Sequence, residues 1–64
     1  MLLTQSEAAE YLRISERTLE RWRVAGSGPA FCKLGRRVLY QGSTLEEWIG
    51  SRVVHSTSEA ATAV

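Results

Sequence analysis

Gly26-Ser27-Gly28-Pro29 splits the 64-residue chain into a part that can be helical and a part that must change period. Glycine suits the left-handed position just past a helix end, and proline can neither donate an N–H nor fit inside the next turn. Upstream, Thr4-Gln5-Ser6-Glu7 has the spacing of a capping box, in which threonine accepts from a free backbone amide and glutamate reaches back to the cap. A first helix is expected over residues 5 to 12, with Ala8 and Leu12 on its apolar side and Ile14 in a tight turn. Ser15 is the next cap candidate, so a second helix is expected over residues 16 to 25. Its length would be about 15 Å.

After Pro29 the runs Phe31 to Leu34 and Val38 to Tyr40 are β-prone and flank Gly35-Arg36, a pair compatible with a type II′ hairpin turn. That register sets Phe31 opposite Tyr40. Neither hairpin face is cleanly apolar, since one carries Phe31, Lys33, Val38 and Tyr40 and the other Cys32, Leu34, Arg37 and Leu39. Either face can be the buried one, and both choices leave Arg36 and Arg37 at an exposed basic tip. Ser43-Thr44-Leu45-Glu46 is a second capping box opening a third helix, whose Leu45, Trp48, Ile49 and Arg52 follow helical spacing and would close the core. From Val53 the pattern stops, and residues 53 to 64 are expected to be a disordered tail. The fold expected is mainly α with a small β-hairpin: helix, helix, two-stranded wing, helix, in one domain over residues 1 to 52.

A chain of 64 residues buries only about 60% of its unfolded surface, which favours a surface function over an enclosed pocket. The net charge of +1 hides a strong asymmetry. Arg13, Arg17, Arg21, Arg23, Lys33, Arg36 and Arg37 stand against Glu16 and Glu20, a balance of +5 over residues 13 to 37, while the remainder sums to −4. One basic face on a nearly neutral molecule is the footprint of a polyanion binder. Within Ser15 to Arg23 the like charges Arg17 and Arg21, and Glu16 and Glu20, fall four apart, an arrangement that costs about 0.2–0.5 kcal/mol per pair in a helix. With Leu19 and Trp22 turned inward, Arg17, Glu20 and Arg21 point outward and Val24 extends their stripe.

These outward residues suit base edges. Arginine can give two donors to guanine O6 and N7, and glutamate can accept from the cytosine amino group. The chain has no asparagine, and Gln5 and Gln41 lie off this helix, so a target with G·C pairs is expected. Lys33, Arg36 and Arg37 suit phosphate or minor-groove contacts, and Ser15 and Thr18 can each bond a phosphate. Blander alternatives exist: Arg17 and Arg21 as solvated residues paired with Glu20, the hairpin charges as protection of edge strands, and Ser15 as an N-cap only. Arg23, nearer the core side, could pair with Glu20. Trp22 and Trp48 could stack bases in a single-strand binder, but their helical stripes favour core packing.

Enzyme and metal chemistry find little support. The chain has no aspartate, one histidine (His55) and one cysteine (Cys32), too few for a nucleophile–base–orienter set or a four-ligand zinc site. No cofactor is expected. With one cysteine no internal disulfide can form, and with no signal-like or membrane-spanning run the expectation is a soluble cytoplasmic protein.

Leu3-Thr4 with Glu7-Ala8-Ala9 and Leu12, Ile14-Ser15 with Thr18-Leu19, Lys33-Leu34-Gly35-Arg36-Arg37, and Leu45-Glu46-Glu47-Trp48 form an ordered set over residues 2 to 52. In this set the chain resembles the small excisionase-like and AlpA-like winged helix-turn-helix proteins, distant relatives of MerR DNA-binding domains. The resemblance implies duplex-DNA binding, with the second helix in the major groove and the wing beside it. It implies an excisionase-type role in recombination directionality for a phage or integrative element, or a small transcription regulator of such an element. Many members carry glycine where this chain has Arg13, so the turn could differ or the arginine could add a backbone contact. The dimerisation helix and effector domain of MerR regulators find no counterpart, which argues against ligand sensing. A monomer is expected that binds neighbouring DNA sites cooperatively or alongside a site-specific recombinase (integrase). The rival from another class is a protein-interaction module whose basic face holds an acidic partner.

Overall fold

The computed structural model describes residues 1–55, which form β1 (Leu2–Thr4), α1 (Gln5–Leu12), α2 (Glu16–Ala25), β2 (Cys32–Leu34), β3 (Arg37–Gln41) and α3 (Gly42–Ser51). This is the expected helix, helix, wing, helix order, with one strand more. β1 pairs antiparallel with β3, Leu3 opposite Tyr40, and makes the hairpin a three-stranded sheet of order β1-β3-β2. Residues 53–55 are exposed and lie outside any helix or strand, and the rest of the expected tail falls outside the described residues.

Local chemistry sets the limits of the first two helices. The Thr4 side chain accepts from the Glu7 N–H at 3.1 Å, and Glu7 Oε1 accepts from the Thr4 N–H at 2.9 Å, completing the capping box. α1 ends at Arg13, whose φ of 58° and ψ of 41° are left-handed. The Arg13 N–H donates to Glu10 O at 3.1 Å and the Ile14 N–H to Ala9 O at 3.0 Å, a Schellman termination that turns the chain into α2 within three residues. Ser15 then caps α2 by accepting from the Thr18 N–H at 3.1 Å.

The third helix starts differently from its sequence signal. Gln41, not Ser43, is the N-cap; no side chain caps the helix, and the Ser43/Glu46 capping box is not formed. β3 runs straight into α3. The Gly42 N–H, which would otherwise want a cap, donates to Met1 O at 2.9 Å across the β1–β3 ladder. Sheet pairing therefore takes over the work of a capping side chain.

Ala8, Ala9, Leu19, Tyr40 and Leu45 form the buried core, with Leu3, Leu12, Ile14, Trp22 and Val38 packed around it. Each layer contributes: α1, α2, the central strand β3 and α3. The hairpin register pairs Cys32 with Leu39, Lys33 with Val38 and Leu34 with Arg37, so Phe31 and Tyr40 stand opposite as expected, their rings 6.2 Å apart. Tyr40 and Val38 decide which face is inward. It is the face carrying Phe31, Lys33, Val38 and Tyr40, because β3 lies against α1 and α3 and its two inward side chains are the first to be covered. Gly35 takes φ +65° while Arg36 does not, the pattern of a II′ turn and not of I′. On α3, Leu45 is fully buried, whereas Ile49 remains 39% exposed and Arg52 lies over the Trp48 ring at 5.0 Å. The stripe closes the core at its first turns only.

Candidate nucleic-acid interface

Burial of Leu19 fixes how α2 is rotated. Three and four residues on, Trp22 and Arg23 are half-buried, while Arg17, Glu20, Arg21 and Val24 are exposed on the opposite side. At 3.6 residues per turn these four fall within one face of the helix. Side chains of Arg17, Glu20 and Arg21 make no hydrogen bond or ion pair with any described residue, so the pairing of the arginines with Glu20 is not formed. Their charges are left to solvent or to a ligand.

The two hydroxyls at the start of α2 are partly committed. Ser15 Oγ accepts from the Thr18 N–H and donates to Thr18 Oγ1 at 2.8 Å, so its proton is used. Thr18 Oγ1 accepts that bond and keeps its own proton to donate. On the wing, Lys33 is exposed on β2, Arg36 sits exposed in the turn and Arg37 is the exposed first residue of β3. The structure thus keeps the sequence-expected residues on two exposed elements, α2 and the wing.

Arg23 ties those elements together, and it does not pair with Glu20. Its Nη2 donates to Gln5 Oε1 at 3.2 Å, linking α2 to α1 across 18 positions of sequence. Its guanidinium also lies 5.8 Å from the centroid of Phe31, at the root of the wing. It further approaches the buried Tyr40 hydroxyl, although neither Tyr40 Oη nor Arg23 Nε completes a well-formed hydrogen bond. Burial pushes the Tyr40 phenol above its usual range, and the neighbouring guanidinium partly opposes this. Helical spacing alone hinted at this role, since Arg23 is four residues from Leu19 and so flanks the inward face.

Trp22 and Trp48 pack against each other, ring centroids 5.5 Å apart and tilted 46°, joining α2 to α3. They serve packing here and are not presented as stacking platforms. Tyr11 is 48% exposed on α1 and Cys32 is a half-buried free thiol. Among the described residues no group of three or more His, Cys, Asp or Glu is placed to hold a metal ion, and no helix is long and apolar enough to cross a membrane.

An outward-facing arginine–glutamate helix, reached through a tight turn and flanked by a basic hairpin, is the architecture of a winged helix-turn-helix. The chain matches the helix-turn-helix domain family over residues 2–53 and belongs to this small DNA-binding family, of the excisionase- and AlpA-like type. Its biochemical function is sequence-specific DNA binding by a small helix-turn-helix protein. No curated protein matches the chain.

Proposed function

We propose that α2 enters the major groove with Arg17, Glu20 and Arg21 at base edges, while Lys33, Arg36 and Arg37 of the wing and the free hydroxyl proton of Thr18 meet the sugar–phosphate backbone, the Ser15 hydroxyl being taken up by its cap. The observation that carries this reading is the exposed charged stripe opposite buried Leu19, a stripe with no partner among the described residues. Like charges at four-residue spacing destabilise a free helix slightly, and contact with guanine and cytosine edges would offset that cost. The expected target has G·C pairs under α2.

The role we infer is that of an excisionase-type protein, setting recombination directionality for a phage or integrative element beside a site-specific recombinase. A small transcription regulator would use the same surface. Excision assays with the recombinase of the element, set against promoter occupancy, separate the two.

Gel-shift titrations of Arg17→Ala, Arg21→Ala and Arg36→Ala test the assignment. Each of the first two should cost about 1–3 kcal/mol on the selected site and relax sequence preference, whereas Arg36→Ala should weaken all duplexes alike and lower the salt slope by about 0.9. Equal small losses in all three variants would refute these roles. A duplex affinity indifferent to salt would favour the protein-interaction module.

A further inference from the structure

Val24 is the uncharged member of the outward stripe of α2, and it is 78% exposed. A single exposed valine is ordinary on a protein surface. Here, however, it occupies a helix position where its branched Cβ lowers helix propensity, one turn beyond Arg21 and Glu20 and two beyond Arg17. Burial of Leu19 on the other side rules out a core role for it.

The rise from residue 17 to residue 24 is about 10.5 Å at 1.5 Å per residue, close to three base-pair steps of about 3.4 Å. Since a helix lies obliquely in the groove, this is an upper limit: a helix that sets Arg17 against a base edge holds Val24 over the same groove no more than about three pairs away. Of the groups displayed there, the thymine 5-methyl is the apolar one; guanine, adenine and cytosine present donors and acceptors. Valine has two methyl groups and nothing to hydrogen-bond with. Set against a polar base edge it would leave donors or acceptors unpaired, which is unfavourable.

We propose that Val24 packs on the 5-methyl group of a thymine within about three base pairs of the guanine contacted by Arg17, making it a specificity-determining residue. The proposal rests on α2 reading bases as set out above. It assigns the stripe a mixed preference: G·C pairs under the charged residues and an adjacent thymine under Val24.

The test uses the full chain. Duplexes selected from a random pool give the preferred site, and each thymine in it is then replaced singly by deoxyuridine, which removes only the methyl group. One replacement should weaken binding about fourfold, the equivalent of one buried CH₂ group at about 0.8 kcal/mol, where about 1.4 kcal/mol is tenfold. Val24→Ala should bind the thymine and uridine sites equally, with an unchanged circular-dichroism spectrum showing that α2 is intact. The proposal is overturned if no thymine occurs within that distance, if every replacement is silent, or if Val24→Ala keeps the fourfold discrimination. When Arg17→Ala and Arg21→Ala still relax sequence preference in such a case, only the role of Val24 fails. When they do not, the base-reading assignment of α2 fails with it.

Discussion

Both helices of the helix-turn-helix end in the same hydrogen-bond pattern, with arginine in the left-handed position at one end and glycine at the other. After α1, Arg13 donates to Glu10 O and Ile14 to Ala9 O; after α2, Gly26 donates to Arg23 O at 3.2 Å and Ser27 to Trp22 O at 2.8 Å. Gly26, with φ +79°, is followed by a second left-handed glycine, Gly28, with φ +80°. Glycine adopts this region freely, whereas a side chain there costs roughly 1–2 kcal/mol. The α1 end bears that cost because Ile14, next in the chain, is held on the core beside Ala9, and two backbone bonds over-determine the turn. The Arg13 side chain itself is exposed, so nothing clashes with it. At the α2 end sterics add to conformation: a Cβ on Gly28 would come within 3.0 Å of Trp22 Cβ, while one on Gly26 would meet nothing.

This contrast can be broken most severely at Gly28. Gly28→Ala combines left-handed strain with displacement of Trp22, which is itself packed on Trp48, and should cost about 2–4 kcal/mol in urea unfolding. Gly26→Ala, with open space around it, should cost only about 1–2 kcal/mol. Equal losses in the two variants would show that conformation alone, and not the Trp22 contact, sets the glycine requirement.

The reverse change at the other end is smaller and opposite in sign. Arg13→Gly should relieve the strain and raise stability by up to about 1 kcal/mol, the gain being reduced by the greater unfolded-state freedom of glycine. If Arg13 also touches a phosphate, the same variant should bind duplex DNA more weakly with a shallower salt slope, by about 0.9 in log K per log salt. A variant that gains stability and binds unchanged would leave Arg13 without a contact role.

The smallest effect lies where Arg23, in the last turn of α2, reaches Tyr40. The folded-state phenol titrates above the unfolded value near 10, so the unfolded chain loses this proton first and stability should fall as pH rises past about 10. Tyr40→Phe removes the titration together with a buried hydroxyl that completes no hydrogen bond. Stability at pH 8 should change by less than about 1 kcal/mol, and the alkaline decline should be less steep than in the parent. Parallel declines would mean that other groups govern the alkaline limb.

The parts of the fold visible in the sequence are those governed by near neighbours. α1 and α2 begin and end where their caps place them, because each cap joins residues three to five apart. The hairpin register followed from Gly35-Arg36 for the same reason. β1 leaves no signal in the sequence because Leu2–Thr4 is three residues long, too short to display an alternating pattern, and is defined by its pairing to a strand some 37 residues away. The missed start of α3 has the same origin, since Gly42 is satisfied by the backbone of β1. On the candidate interface, the outward stripe of Arg17, Glu20 and Arg21 was legible from Leu19 and Trp22 on one helix. The link from Arg23 to Gln5 was not, because it depends on how two helices cross.

By itself, then, the amino-acid order determined where α1 and α2 start and stop, which face of α2 carries charge and where the basic hairpin tip falls. All of these rest on contacts within a turn or two of chain. Only the tertiary structure decided which hairpin face is buried, since both faces mix apolar and charged residues and the choice comes from β3 lying against α1 and α3. It also decided that Arg13 would accept a left-handed conformation: the local preference against it is about 1–2 kcal/mol, and packing of the half-buried Ile14 on the core, with the two backbone bonds of the turn, offsets that preference.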